Sequence, residues 1–361
     1  MKLLDWYILK KFLSTFFFTV LIFTMITVII DFSEKVEKFI ESDITKSEII
    51  FGYFPNFVIF IYGLLFPLFT LISVVFFTSR LANNSEILSI FNAGVSFRRL
   101  LRPYMIGAIF IAIIHALGTH YFIPEGTKTR LKLERKYFDP NRDQGKQRNI
   151  HMFLDPETKA YVNFWRKRDS TIRGFRLERF ENHELVYLLK ASSAEWLGSP
   201  DKWRLVNYEI RTFDGLKETI VSGQGEQMDT VLNMQPADFI EYKEQHEMMT
   251  TVELSSYIDK QRARGVGNTA KYEAELWRRT AEPITVLILT LIGVAIAARK
   301  VRGGLGIHLA VGILLGALFL ILSRFSSVFA AGNALPVVIS VWLPNILFGA
   351  IAVLLIAKAQ K

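Results

Sequence analysis

The chain contains no cysteine, which excludes disulfides, thiol nucleophiles and thiolate metal sites but fits any redox compartment. Histidine is scarce, with six in 361 residues. His246-Glu247 and His183-Glu184 begin HExxH-like strings, but Thr250 and Tyr187 occupy the position of the second imidazole, so neither string can present two ligands on one helix face. His115, His120 and His308 fall within or at the ends of apolar runs, where a hydrogen-bonded histidine between helices is the plain reading. There is no GxxxxGK[ST] phosphate loop, so ATP is not bound by that device. Gly303, Gly304 and Gly306 have no strand before them and read as a tight turn. No nucleophile stands with a base, and neither an internal repeat nor a low-complexity segment is evident. Together these absences argue against catalysis, and against a cofactor or metal held by this polypeptide.

What is present is apolar. Hydrophobic residues make up 51% and aromatic residues 13% of the chain, with 30 Phe, a balance above that of a soluble domain. Runs long enough to cross a hydrocarbon core of about 30 Å occur at Phe12 to Ile30, Ile49 to Ser79, Pro103 to Ile123, Leu305 to Ser323 and Phe325 to Ala357. A shorter run from Pro283 to Ala298 extends backward through Leu276, Trp277 and Ala281 to make a sixth span. No small-residue cleavage site follows the first run and an acidic segment opens at Asp31, so that run reads as a retained anchor.

In a six-span arrangement Lys2, Lys10, Lys11, Arg80, Arg98, Arg99, Arg102, Arg299, Lys300, Arg302, Lys358 and Lys361 share one side, opposed there only by Asp5 and Glu86. The positive-inside rule makes that side cytoplasmic, with both termini inside. The other side holds an acidic loop from Asp31 to Glu48 and the nearly charge-balanced segment from Pro124 to about Arg279. The net charge of +9 is therefore a topology signal and not a nucleic-acid footprint.

Between the third and fourth spans the pattern changes to short alternating stretches: Ala160 to Trp165, Thr171 to Phe180, Glu184 to Lys190 and Trp203 to Phe213. Asn182, the Gly198/Ser199/Pro200 cluster and Asp214/Gly215 punctuate them. These are strands, and their number predicts an antiparallel sandwich or partly open barrel of about 120 residues. Trp203 and Leu205 are expected on one face, with Val206, Tyr208 and Ile210 on the other. After Phe239 helix returns: Thr250 and Glu253 form a capping box, Gly265 is the stop, and Gly267 with Asn268 starts the helix leading into the fourth span. The expected organisation is residues 1–123 with three spans and a helix at 83–94, residues 124–245 as the β domain, and residues 246–361 as a connecting helix and three spans.

The segment from Asn83 to Arg99 reads as a short capped helix at a membrane surface. Asn83 serves as N-cap and Glu86 as N3, Ile87, Leu88, Phe91 and Val95 recur on one side, and Gly94 suits a left-handed stop. Ser96 then caps the third span, and Arg98, Arg99 and Arg102 anchor it. Physics alone leaves two readings open here. One is an interfacial connector with Glu86 paired inside the chain; the other is a peg seated in a groove on a cytoplasmic ATPase.

SEIL from Ser85, NAGVS from Asn92, ELWRRTAEP from Glu275 to Pro283 and the opening LDWYILKKF from Leu4 together resemble the LptF/LptG lipopolysaccharide export permeases. The layout of three spans, a β domain and three more spans is similar too. The resemblance covers the whole chain and implies an α-helical membrane protein with six transmembrane helices and an inserted jellyroll-like periplasmic β domain. It implies the permease subunit of an ABC-type exporter in a bacterial inner membrane. Its partners would be an LptB-like ATPase dimer that uses the ATP, a second LptF/LptG-like permease, and LptC- and LptA-like periplasmic proteins. By that resemblance Ser85, Glu86, Ile87, Leu88, Phe91 and Gly94 would couple to the ATPase.

The cargo would be lipopolysaccharide, whose many acyl chains each resist extraction by about 0.8 kcal/mol per buried methylene. Its phosphates need cations, and Lys35, Lys38 and Arg324 are the candidates on the outer side, Arg324 because it ends an otherwise uncharged span. Asp31 with Lys35, and Glu34 with Lys38, also stand four apart in the favourable order for pairing along a helix. Asp31, where some relatives carry a basic residue, could instead pair with Arg324 or act through a divalent cation. The reading from another class is a membrane-anchored periplasmic scaffold or sensor without transport.

Overall fold

A computed structural model describes residues 3–138, 147–239, 244–266, 269–299, 304–332 and 335–359. Lys2, Lys300, Arg302, Lys361, Gly303, Gly267 and Asn268 lie outside the described residues. The chain divides into a helical unit (residues 1–138, 246–254 and 270–361) and a β unit (residues 139–245 and 255–269).

Among the described residues the helical unit has six helices long and apolar enough to span a membrane, as the sequence predicts. They are built from α1 (Leu3–Glu41), α2 (Phe54–Asn83, entered through a π-helical turn at Glu48–Tyr53), α4 (Phe97–Leu117), α8 (Ala270–Ala297), α9 (Gly304–Ala331) and α10 (Val337–Ala359). Between α2 and α4 lies the short α3 (Glu86–Asn92). The helices outrun the apolar stretches that encode them. α1 stays helical through most of the expected acidic loop, because nothing between Asp31 and Glu41 breaks a helix. At 1.5 Å per residue it is roughly 58 Å long, nearly twice a hydrocarbon core. Likewise α4 passes through a π-helical turn at Gly118–Phe122 into α5 (Ile123–Tyr137). Residues 124–138 therefore belong with the helical unit rather than with the strands.

Close packing depends on small residues where helices cross. A Cβ on Gly107 would stand 2.7 Å from the Phe12 ring, and one on Gly293 would stand 2.8 Å from Val74. Such contacts replace the hydrophobic drive that lipid cannot supply. One end of the bundle gathers the start of α1 and the end of α10. Arg99 reaches Asp5 at 2.7 Å, and Arg299 donates to the carbonyl of Lys358 at 2.6 Å. An even number of crossings requires this.

In sequence the β unit falls between the third and fourth spanning helices. Its strands are β1 (Arg148–Phe153), β2 (Thr158–Arg166), β3 (Thr171–Glu181), β4 (Glu184–Gly198), β5 (Lys202–Asp214) and β6 (Lys217–Val231). They form one antiparallel sheet in chain order. The turns fall where the sequence places them, with Asn182 and Gly215 at positive φ. The Trp165 and Trp203 rings, on β2 and β5, lie 6.3 Å apart. Three strand spacings in a flat sheet come to about 14 Å, so the sheet curls over its own apolar face. The result is a partly open barrel, with β1 and β6 unpaired with each other among the described residues.

A row of residues across the sheet carries the backbone irregularity. Asn149, Gly174 and Asn207 have φ of 53°, 66° and 51°, and Gly225 on β6 has φ of 82°. The flanking register sets Asn163 between Asn149 and Gly174, and Ser192 between Gly174 and Asn207. Along this line the alternation of buried residues changes phase. Val162 and Trp165, Ile172 and Phe175, and Ala191 and Ala194 are all buried although each pair is three apart. The expectation that Tyr208 and Ile210 face away from Trp203 and Leu205 is therefore corrected. The left-handed backbone at Asn207 shifts the alternation and returns both to the core side, where they pack on the same cluster.

Beyond the sheet, α6 (Gln245–Met248) precedes α7 (Thr251–Ala263). The capping box is present: Thr250 N donates to Glu253 at 2.8 Å and Glu253 N to the Thr250 hydroxyl at 3.4 Å. Gly265 stops the helix at φ 77°, its N–H bonded to the Arg262 carbonyl.

Candidate functional site

The segment around Glu86 is shorter than the sequence suggests. α2 runs through Asn83, so Asn83 is the last residue of a span and not a cap. Ser85 is the N-cap residue of α3, in the left-handed region at φ 61°, and its hydroxyl makes no capping bond. The helix covers seven residues and ends before Gly94, which takes the expected left-handed conformation at φ 79°. Ser96 caps α4 by accepting from Arg99 N at 3.3 Å, as predicted.

α3 is held down by Ile87, buried at 1%, with Ile90 and Phe91 half-buried against the same core. Leu88 is 57% exposed, so it does not belong to the inward stripe with Ile87 and Phe91. The outward surface comprises Leu88, Ser89, Asn92, Ala93 and Gly94. Glu86 is paired within the chain, accepting from the Tyr7 hydroxyl at 2.9 Å. A carboxylate has lone pairs beyond that one bond. The surface can therefore offer an apolar knob with a negative charge beside it.

At the other end of α1, Asp31 and Lys35 enter a shared network. Lys35 Nζ lies 2.8 Å from Asp31 Oδ1 and 3.0 Å from Glu134 Oε1, and it also contacts the Tyr53 hydroxyl. Tyr53 donates to Asp31 Oδ2 at 2.9 Å, and Arg130 donates to Glu134 at 2.8 Å while its guanidinium stacks 4.1 Å over the Phe60 ring. Two cations meet two carboxylates in a half-buried setting, so the local charge is balanced. Asp31 pairs with Lys35 and Tyr53, not with Arg324. Among the described residues no ion pair joins Glu34 to Lys38, and Lys38 is exposed. Arg130, Glu134 and Tyr53 are not legible as site residues, because long-range folding brings them to Lys35; only the four-residue spacing of Arg130 and Glu134 hints at a pair.

Arg324 on α9 is exposed and lines a cavity of about 280 Å³ between α2, α8 and α9. Its lining mixes apolar residues such as Leu64, Leu320 and Val328 with the charged Glu247, Lys271, Glu275, Arg278 and Glu282. Glu275 lies 2.7 Å from Arg278 and 3.0 Å from the buried Arg279, Arg278 reaches Glu282 at 3.2 Å, and Glu282 stands 3.4 Å from the buried ring of His115. The ELWRRTAEP string thus encodes an internal charge ladder along α8, each step three or four residues on. Arg279 also donates to the Thr251 hydroxyl and the His246 carbonyl, both at 3.2 Å. His246 lines the same cavity, and burial, aided by Lys271, Arg278 and Arg279, outweighs the field of Glu275 and lowers its pKa to about 4. No bond or ion pair joins Arg324 to another described residue; Glu282 is an acidic group within reach of its field. Arg324 thus adds a cation to a wall whose other charges are largely paired. Such a cavity can receive an anionic group. Among the described residues no cluster of histidine and carboxylates has the geometry of a metal site.

Residues 6–358 match the model of a protein family described as "Lipopolysaccharide export system permease LptF/LptG". No curated protein matches the chain.

Proposed function

Because the chain belongs to the LptF/LptG family of lipopolysaccharide export permeases, we propose that it is the permease subunit of an ABC-type exporter that lifts lipopolysaccharide from the inner membrane and passes it to a periplasmic bridge. The observation that carries this reading is the near-complete family match, joined to six spans and an inserted β unit. The arginine-rich end of the bundle, with both termini and α3, faces the cytoplasm, and the β unit lies in the periplasm. An LptB-like ATPase dimer docks on α3 through Leu88 and Glu86, with Ser85 and Gly94 setting the ends of the helix and Ile87 and Phe91 rooting it. A second LptF/LptG-like permease completes the transporter. The unpaired outer edges of β1 and β6 suit strand addition by LptC- or LptA-like proteins.

Headgroup phosphates are met by Arg324, with Lys38 as an exposed cation in the last turn of α1. Lys35 and Asp31, neutralised by their partners, shape that end of the helix and lend it less charge. Lifting many acyl chains out of a bilayer needs driven motion, and the chain contributes conformation and binding while the ATPase burns nucleotide.

Reversing the charge with Glu86→Lys tests the docking. Co-purification of the ATPase should fall at least tenfold while the permease remains in the membrane; retention of the ATPase and of transport would refute the assignment.

A further inference from the structure

α3 alone is a poor transmitter. It has seven residues, too few to be stable in isolation, and left-handed joints bound it at Ser85 and Gly94. Along the backbone, displacement of α3 reaches α2 and α4 through those joints, and across space through Ile87, Ile90 and Phe91, which pack on the cluster that both helices share. α1 is a different case. It has no covalent link to α3, yet two side chains near its start bind the elements on either side of the Gly94 joint: the Tyr7 hydroxyl donates to Glu86 Oε2, at the start of α3, at 2.9 Å, and Asp5 Oδ2 accepts from Arg99 Nη2, in the first turn of α4, at 2.7 Å.

The two contacts differ in kind. Asp5 is buried, so its pairing with Arg99 is charge-assisted and shielded from water. Tyr7 is 38% exposed and supplies a neutral donor. Residues two apart on a helix point to nearly opposite sides. The pair therefore grips α1 from two directions and resists rotation as well as sliding. Ile8 and Phe12, fully buried in the cluster that holds Ile87, fill the space beneath.

From this geometry we propose that Tyr7 and Asp5 are positioning residues that clamp α1, Tyr7 to the start of α3 and Asp5 to the first turn of α4 that follows it, so that motion of the ATPase dock drives α1 directly. α1 is one unbroken helix from Leu3 to Glu41, and its far end bears the Asp31–Lys35–Glu134 network. Movement of its first turn is thereby delivered to the opposite end of the bundle. The inference rests on α3 being the ATPase dock.

The test uses the full complex in proteoliposomes and measures lipid released per ATP hydrolysed. Tyr7→Phe removes one hydroxyl, and Asp5→Asn removes a charge while keeping the shape. Each should leave ATPase co-purification and hydrolysis within twofold of the parent and lower lipid per ATP at least fivefold. Asp5→Glu, which keeps the ion pair, should retain coupling. A merely structural role would reduce complex yield without changing the ratio in the complex recovered. An unchanged ratio in both variants, in complex recovered at any yield, overturns the clamp. The docking reading fails separately, if Glu86→Lys keeps its ATPase.

Discussion

The charged residues of the β unit include a pair, Arg264 and Asp238, that is largely withdrawn from water. Arg264, 3% exposed, lies 2.8 Å from Asp238 and also donates to the Asn233 carbonyl at 2.6 Å. Burial by itself would raise the Asp238 carboxyl, but Arg264 and the Gln235 N–H overcome it and hold the pKa below its ordinary 3.8. A carboxyl depressed in the folded state stabilises above its unfolded value, and that contribution disappears as pH falls through the folded one. Limited proteolysis should therefore cut this unit faster as pH drops below about 4. Asp238→Ala, which strands a buried guanidinium, should cost about 3–5 kcal/mol at neutral pH, read as a lower melting temperature; an unchanged melting point would show the pair to be dispensable. Exposed pairs such as Arg204–Asp229 carry little by comparison.

At the scale of elements, the sheet shows both what a sequence discloses and what it conceals. Its turns and strand cores are legible because Asn-His, Ser-Pro and Asp-Gly stand between alternating apolar residues. The row through Asn149, Asn163, Gly174, Ser192, Asn207 and Gly225 is not. Each member is small and could be read locally as an ordinary strand residue. Only the register aligns them, and the phase of burial on either side then follows. The same holds for α3: its existence and its Gly94 stop are visible, but the true start is not, because Asn83 is equally acceptable as the end of α2. Gly174→Val tests the row. A β-branched side chain there must adopt φ near 66° with its Cβ about 2.9 Å from that of Asn163. The expected cost is about 2–3 kcal/mol, measured by thermal unfolding followed through tryptophan fluorescence, whereas Asn207→Gly should be tolerated within about 1 kcal/mol. Equal effects from both would deny the row its role.

For the whole molecule the decisive question is which end of the bundle faces the cytoplasm. Cations cluster at the end that holds Arg80, Arg98, Arg99, Arg102, Arg299 and Lys358, and interfacial arginine on the trans side would oppose insertion. The candidate site was legible at this scale in part. Arg324 is visible as a charge closing an apolar run, and the α3 motif by its Gly94 stop. The pairing of Lys35 with Glu134, and the clamping of Glu86 by Tyr7, depend on contacts 99 and 79 residues apart that no local pattern encodes. The absence of cysteine makes the orientation directly measurable, since any thiol introduced is the sole one in the chain. Leu216→Cys places a thiol in the fully exposed turn between β5 and β6, and Leu88→Cys places one on the outward side of α3, where the side chain is 57% exposed. In intact cells whose outer membrane has been made permeable, a charged maleimide should label position 216 within minutes and leave position 88 unmodified. Disrupting the inner membrane and stripping off the ATPase should then expose position 88. Labelling of position 88 before that disruption would put α3 in the periplasm, beyond the reach of any nucleotide-driven motor, and the transport mechanism argued from it would have to be abandoned.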